Sequence, residues 1–153
     1  MRHNKTNHLP CPTVERLHGL SCIYTNTDVL TNKMTELEAM IEKNKIDIIA
    51  LTETLPKLYS NYTQPEDFKF VLDGYNSIQC FKGRGLCLFI KDTIKIDRIS
   101  PYEDIFQTSL FVKIKTAEDT LTLGLIYRSP TSDEEDNNKL LEQIGHVAHE
   151  HRF

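Results

Sequence analysis

The sequence predicts an α/β fold, and three observations lead to that prediction. Two apolar runs of strand length flank a segment with helical periodicity, two pairs of shorter runs joined by turns follow, and an amphipathic segment comes last. The 153 residues are 39% apolar with a mean hydropathy of -0.39, as is typical of a globular chain. One domain is therefore enough to account for the chain.

The first two apolar runs are predicted to be buried parallel strands. Residues 18–25 contain the run GLSCIYT, which is followed by Asn26. Residues 47–54, DIIALTET, hold four consecutive apolar residues, which is too few for a helix and typical of a strand covered on both faces. A right-handed crossover would bring Asn26 and Glu53 to the same edge of the sheet. An amide oxygen and a carboxylate there can share a magnesium ion, whereas the plainer alternative for Glu53 is a solvated strand end.

A helix is predicted between these strands, from about residue 32 to residue 43. Thr31 or Asn32 is a candidate N-cap, and Asn44 is a candidate stop. The apolar stripe of this helix is formed by residues at spacings of four, three and four: Leu30, Met34, Leu37 and Ile41.

An antiparallel meander is predicted next. Residues 55–73 are rich in turn residues and form a long connection, which is typical of a functional or mobile loop. Residues 74–81 and 85–91 form one hairpin around the turn KGRG, which is too short for a phosphate-cradling loop. Residues 109–116 and 120–127 form a second hairpin.

The last element is predicted to be a helix that ends at about Glu150. Ser132 and Glu135 match a capping box, and the acidic residues that follow Ser132 are favoured at a helix N-terminus. The three histidines near its end do not share one face, which favours a solvated helix end over a metal site. The predicted apolar face consists of Leu140 or Leu141, Ile144 and Val147.

The charge distribution excludes a protein that coats nucleic acid by bulk charge, because the formal net charge is -4. Residues 79–115 nevertheless carry seven Lys or Arg against four acidic residues. This segment provides either a locally basic face that meets a phosphate backbone or an ordinary mixed surface.

The cysteine pattern and the N-terminal sequence predict an intracellular protein. The four cysteines form no CxxC pair and are predicted to be free thiols, mostly in strand cores. Residues 1–17 contain no signal-peptide core and are predicted to be a polar, poorly ordered lead-in to one domain at 18–153. No run is long enough to span a membrane, so no membrane partner is expected.

Several segments resemble the endonuclease/exonuclease/phosphatase family, and most closely the apurinic-type endonuclease domain of non-LTR, LINE-like retrotransposons. The run SCIYTNTDVLTNKMTELEAMIEKNKIDIIALTET resembles the opening of that domain, with a strand ending in Asn, an NK..EL helix and a DII-x-x-TET strand. GRGLCLFIK and LGLIYRSPTS resemble two later segments in the same order. The resemblance implies the N-terminal portion of a four-layer α/β/β/α sandwich of the DNase I-like type.

The resemblance also implies a catalytic site. Glu53 matches the magnesium-ligating Glu of the family, Asn26 matches the Asn beside that metal, and Tyr127 matches a Tyr that approaches the scissile phosphate. The implied activity is magnesium-assisted hydrolysis of DNA phosphodiesters, with no small-molecule cofactor. From the residues alone, Tyr127 closes the strand LGLIY and either donates to a phosphate oxygen or packs in the core.

The sequence departs from the family pattern in two ways, and these departures leave two functional hypotheses open. Thr131 stands where the family usually has Asn, and the GD-x-N motif and the terminal Asp-His pair do not occur in this sequence. The first hypothesis is the endonuclease domain of a retrotransposon, truncated before its later motifs, acting on DNA and nuclear if functional. The second is a non-catalytic remnant that binds nucleic acid or a protein partner. Unpaired sheet in an incomplete domain also predicts self-association.

Overall fold

The computed structural model describes residues 8–9, 12–17, 19–57, 68–103 and 105–150, which form two sheets with helices on their outer faces. The predicted α/β class is confirmed. No helix in these ranges is both long and apolar enough to span a bilayer.

The first sheet is mixed. It contains β1 (Glu15–Leu17), β2 (Leu20–Asn26), β3 (Ile48–Thr52), β4 (Tyr75–Cys80) and β5 (Leu86–Lys91). In space the order is β1-β2-β3-β5-β4. The pair β2 and β3 is parallel, as predicted, and every other neighbouring pair in this sheet is antiparallel.

The second sheet is an antiparallel meander, and helices complete the described chain. The strands are β6 (Lys95–Arg98), β7 (Ser109–Lys115) and β8 (Thr120–Ile126), in that spatial order. The helical elements are a 3-10 turn (Leu30–Lys33), α1 (Met34–Lys43), α2 (Ser100–Glu103) and α3 (Glu134–Glu150).

Strand β3 explains the layer order, because all five of its residues are buried. Ile49 belongs to a core that also contains Leu37 of α1, on one face of the first sheet. Ile48 belongs to the core on the other face, with Val112 of the second sheet. A third cluster joins the far face of the second sheet to α3 through Val147. The layers therefore run α/β/β/α, and the unbroken apolar run in β3 reflects burial on both faces.

The prediction of a poorly ordered lead-in is wrong for residues 15–17. These residues form β1 and pair antiparallel with the start of β2, with Leu17 opposite Leu20. Gly19 has a φ of +82° and makes the tight reversal between the two strands. This pairing satisfies backbone hydrogen-bonding groups at the edge of β2, and the polar character of the N-terminal sequence does not indicate it.

The prediction that Thr31 or Asn32 caps the first helix is also wrong. The helix begins with a 3-10 turn, and no side chain caps either that turn or α1. The amides of Val29 and Leu30 instead donate to carbonyls of residues 53 and 54, at 2.8 and 3.2 Å. Backbone from the loop after β3 therefore satisfies donors that a cap would otherwise serve. At the other end, Asn44 stops α1 as predicted.

Helix α3 differs from its prediction in its cap and its buried face. Asp133, not Ser132, caps it, since its Oδ1 accepts from the Asp136 amide at 2.8 Å. Leu141 is 68% exposed, whereas the side chain of Gln143 is fully buried. The Gln143 Nε2 group donates to the Tyr102 carbonyl at 2.7 Å and to the Ser109 hydroxyl at 2.8 Å. This polar contact, which hydrophobic periodicity cannot reveal, selects the face of α3 that packs inward.

Two short elements, β6 and α2, were not predicted, since each has only four residues.

Within the described ranges, Cys22, Cys80 and Cys87 are buried and free, which confirms the thiol prediction for them. Burial raises the pKa of Cys87 to about 12. Cys11, His151 and residues 58–67 of the long connection lie outside the described residues.

Candidate functional site

Asn26 and Glu53 leave neighbouring parallel strands at the same edge of the first sheet. Asn26 ends β2 and pairs in register with Thr52, the last residue of β3. Thr27 connects the loop after β2 to the loop after β3. Its amide donates to the Thr52 carbonyl at 2.9 Å, and its hydroxyl donates to the Glu53 carbonyl at 3.0 Å. This is the arrangement that the strand, helix, strand pattern predicts.

The backbone of these two loops is strained. Asp28, Val29 and Glu53 have φ values of 42°, 73° and 52°, and they are the non-glycine residues with positive φ among those that the structure describes. This conformation is especially unfavourable for a β-branched residue such as Val29. The Val29 amide donates to the Glu53 carbonyl, so the two strained loops hold each other. Strain of this kind concentrates at functional sites, where surrounding contacts fix it.

Glu53 receives a tyrosine from the second sheet. The Tyr127 hydroxyl donates to Glu53 Oε1 at 2.5 Å, although the two residues are 74 positions apart in sequence. The hydrogen bond to Glu53, burial and the negative charge of that carboxylate together raise the pKa of Tyr127. The phenol is therefore protonated at neutral pH and is a hydrogen-bond donor there.

Arg84 contacts the same carboxylate from the other side. Its Nη1 lies 3.4 Å from Glu53 Oε2, and its Nη2 donates to Asp28 Oδ1 at 2.9 Å. The Arg84 Nε also donates to the Leu55 carbonyl at 3.1 Å, which fixes the guanidinium between the two loops. The hydrogen bond from Arg84 Nη2 to Asp28 Oδ1 is the main cause that lowers the pKa of Asp28. Arg84 lies in the KGRG turn, to which the sequence analysis gave no role.

Asn26 joins the group indirectly. Its Oδ1 accepts a hydrogen bond from the Asp28 amide at 3.0 Å, and Asp28 in turn binds Arg84. The structure therefore brings Glu53 and Tyr127 into direct contact and connects Asn26 to them through two residues, Asp28 and Arg84.

Lys33 is a second residue whose position the sequence did not indicate. It is 7% exposed, and its ammonium group donates to the carbonyls of Thr27 and Asp28. These hydrogen bonds hold the strained loop after β2 in its conformation. Lys33 thus positions Asp28 for its contact with Arg84.

A cleft of about 660 Å³ opens beside this group of residues. Tyr127 and Arg84 lie on its wall, together with the rest of the turn before β5, residues 105–108 and the start of α3. The charged side chains that line it are Lys57, Lys82, Arg84, Lys139 and Asp136. Lys139 is paired with Glu135 at 3.0 Å and Arg84 with Glu53 at 3.4 Å. The excess positive charge that suits an anionic ligand therefore comes mainly from Lys57 and Lys82.

The donors at this edge do not fit a magnesium ion as they stand. Glu53 is the carboxylate at the centre, and both of its oxygens already face donors, Tyr127 on one side and Arg84 on the other. The Asn26 oxygen accepts an amide proton. Within the described ranges, no group of three or more His, Cys, Asp or Glu is arranged to hold a metal. Magnesium needs open oxygen ligands, and a guanidinium beside the carboxylate opposes a second cation.

No family model matches this sequence, and no curated protein sequence matches it. Solved structures do. The endonuclease domain of TRAS1, a telomere-specific non-LTR retrotransposon, aligns with a TM-score of 0.61 at 16% identity, over 84% of this chain and 54% of that one. The AP endonuclease LMAP from Leishmania major aligns with a TM-score of 0.54 at 18% identity, over 90% of this chain and 50% of that one.

The chain spans about half the length of these two structures. The similarity agrees with the layer order α/β/β/α, and it confirms the fold that the sequence motifs imply. Over the part that it covers, the chain has the fold of the DNase I-like endonuclease domains.

Proposed function

We propose that this chain binds the sugar-phosphate backbone of DNA in the cleft beside Tyr127 and Arg84, as the phosphate-binding portion of an endonuclease-type domain. The observation that supports this most strongly is the position of the basic cleft. It opens beside the edge where Glu53, Tyr127 and Arg84 meet. Phosphate contacts by Lys and Arg supply most of the affinity in binding that does not depend on DNA sequence.

Each of these residues would contact the phosphates in a way set by its side-chain chemistry. Arg84 presents a planar fork that matches two phosphate oxygens, whereas Lys57 and Lys82 act as point charges toward neighbouring phosphates. Tyr127 is a neutral donor whose hydroxyl could turn from Glu53 to a phosphate oxygen. In a phosphodiester hydrolysis, Arg84 and Tyr127 would stabilise the negative charge that develops on those oxygens.

The second hypothesis, a non-catalytic remnant that binds nucleic acid or a protein partner, is favoured in its DNA-binding form by the contacts of the two carboxylates. Glu53 is held by Tyr127 and Arg84. Asp28, whose pKa is lowered mainly by the hydrogen bond from Arg84, is a weak base. Neither carboxylate is therefore well suited to take a proton from an attacking water. DNA binding belongs to the first hypothesis and to the DNA-binding form of the second, so it is tested first.

Fluorescence anisotropy with a labelled DNA duplex of about 20 base pairs tests binding. We expect affinity to fall with salt, with a slope of log K against log salt of about -3, because about three basic residues neutralise phosphates. The double variant Lys57→Gln with Lys82→Gln should bind about tenfold more weakly in about 50 mM salt, and its slope should be smaller by about 2.

The matched control is the double variant Lys95→Gln with Lys115→Gln. These two lysines are exposed and face each other in register between β6 and β7, at the end of the second sheet away from Tyr127. The control removes the same number of positive charges and should leave affinity within about twofold of the native value. Absence of binding at low salt, or equal losses in both double variants, would contradict the proposed function.

A further inference from the structure

Arg84 occupies a specific electrostatic position beside Glu53. Its guanidinium lies between the carboxylates of Glu53 and Asp28, at 3.4 and 2.9 Å. The side chains of Arg84 and Glu53 are only 19% and 17% exposed. An ion pair with so little access to water is weakly screened by salt. The Leu55 carbonyl accepts a hydrogen bond from Arg84 Nε, so a third contact holds the guanidinium in position.

We infer that the Arg84 guanidinium supplies the positive charge that a divalent cation would supply beside Glu53, so that the site binds a phosphodiester group without a metal ion. This inference rests on the proposed function and adds its mechanism of phosphate capture. It follows from the donor set, in which the central carboxylate already has a permanent cation as its partner.

The guanidinium retains donors for a ligand. Arginine has five N–H groups. Two of them donate to the oxygens of Leu55 and Asp28, and Nη1 lies 3.4 Å from Glu53 Oε2 in an ion pair, so these three contacts do not use all five. Arg84 also lines the cleft, next to the exposed Lys82. A phosphate that enters the cleft therefore meets a fixed guanidinium with further N–H donors and a neighbouring positive charge.

This arrangement predicts opposite effects for the two members of the ion pair. Glu53 neutralises Arg84 and repels an incoming phosphate, so removal of its charge should strengthen binding. If Glu53 instead held a metal ion that bridges to the phosphate, the same change should weaken binding. Removal of the Arg84 charge should weaken binding when no metal is present.

The test measures anisotropy of the same DNA duplex with EDTA and with magnesium, at matched ionic strength. For the native chain, we expect the two dissociation constants to agree within about twofold. In EDTA, Arg84→Gln should bind about tenfold more weakly and Glu53→Gln about threefold more tightly. Lys115→Gln, which removes a charge paired with Asp97 at the far end of the second sheet, should change little. Circular dichroism checks that each variant is folded.

The outcomes separate this inference from the proposed function. Absence of binding in both buffers overturns both. Binding that requires magnesium, or that weakens in Glu53→Gln, overturns the inference and leaves the proposed function standing. Binding in EDTA that Arg84→Gln does not change also overturns the inference. If Arg84→Gln does not fold, the sign of the Glu53→Gln effect still decides.

Discussion

The purified 153-residue chain is expected to leave supercoiled plasmid DNA intact, even with magnesium present. Hydrolysis of a phosphodiester needs positive charge against the phosphate, an oriented water and stabilisation of the charge that develops. Arg84 and Tyr127 can serve the first and third needs. For the second, the carboxylates at the site are held in ion pairs or hydrogen bonds, and the hydrogen bond from Arg84 lowers the pKa of Asp28, which makes it a weaker base.

A plasmid nicking assay over several hours checks this expectation, with Glu53→Gln to detect a contaminating nuclease. Slow nicking that is equal in both preparations belongs to a contaminant. Nicking by the native chain that disappears in Glu53→Gln would show that the residues at this edge are sufficient for cleavage, and the first functional hypothesis would then replace the second.

Replacement of Gly85 by alanine is expected to lower the free energy of unfolding by about 3 kcal/mol or more and to displace Arg84. Gly85 has a φ of +78°, which is unfavourable for alanine. A Cβ atom there would lie 2.5 Å from both Thr54 Oγ1 and Leu55 Cγ. Both neighbours are buried, so neither can move away cheaply. The turn before β5 would have to separate from the loop that carries Glu53.

Gly74→Ala is the matched control for this change. Gly74 has a nearly equal φ of +81°, but no atom lies within 4 Å of the position that its Cβ would take. Its cost should therefore be the backbone term alone, about 1–2 kcal/mol. Urea unfolding of the two variants measures the difference. Equal destabilisation of both would show that Gly85 does not lock the Arg84 turn against the Glu53 loop.

The sequence predicts those parts of the fold that depend on local patterns. Four apolar residues in a row at Ile48–Leu51 identify a strand buried on both faces, and the apolar stripe of α1 identifies the crossover. Together these elements place Asn26 and Glu53 at one edge, because a crossover between parallel strands has a fixed hand. Tyr127 came from the family resemblance, since its strand alone could equally have placed it in a core.

Arg84 could not be predicted because its position depends on a pairing between distant strands. The antiparallel pairing of β3 with β5 sets Thr52 opposite Leu86, and this register brings the turn before β5 to the end of β3. The alternation of residues in β5 does not specify which strand is its neighbour. The available signal was the pair of basic residues next to glycines in KGRG. Their position at the site can be recognised only once that register is known.

The buried face of α3 was predicted only in part, for a related reason. Val147 is buried as predicted, but the burial of Gln143 was not foreseen. Gln143 is inside because the Tyr102 carbonyl and the Ser109 hydroxyl need a donor. Those acceptors belong to α2 and to the start of β7, which sequence periodicity does not connect to α3. Ile144, which the pattern placed inside, is 43% exposed, and Leu141, one of the two alternatives that the pattern left open, is 68% exposed.

An NMR titration of the labelled chain with a short DNA duplex, followed in ¹H–¹⁵N correlation spectra, tests the central claim most directly. The claim is that DNA binds at the edge where Glu53, Arg84 and Tyr127 meet. We expect the largest shift changes at residues 26–28, 53–55, 82–85 and 127–129, with the Arg84 side-chain Nε resonance among them. Changes centred on the turn at 116–119, which closes the opposite end of the second sheet, or spread evenly over the described chain would contradict the claim.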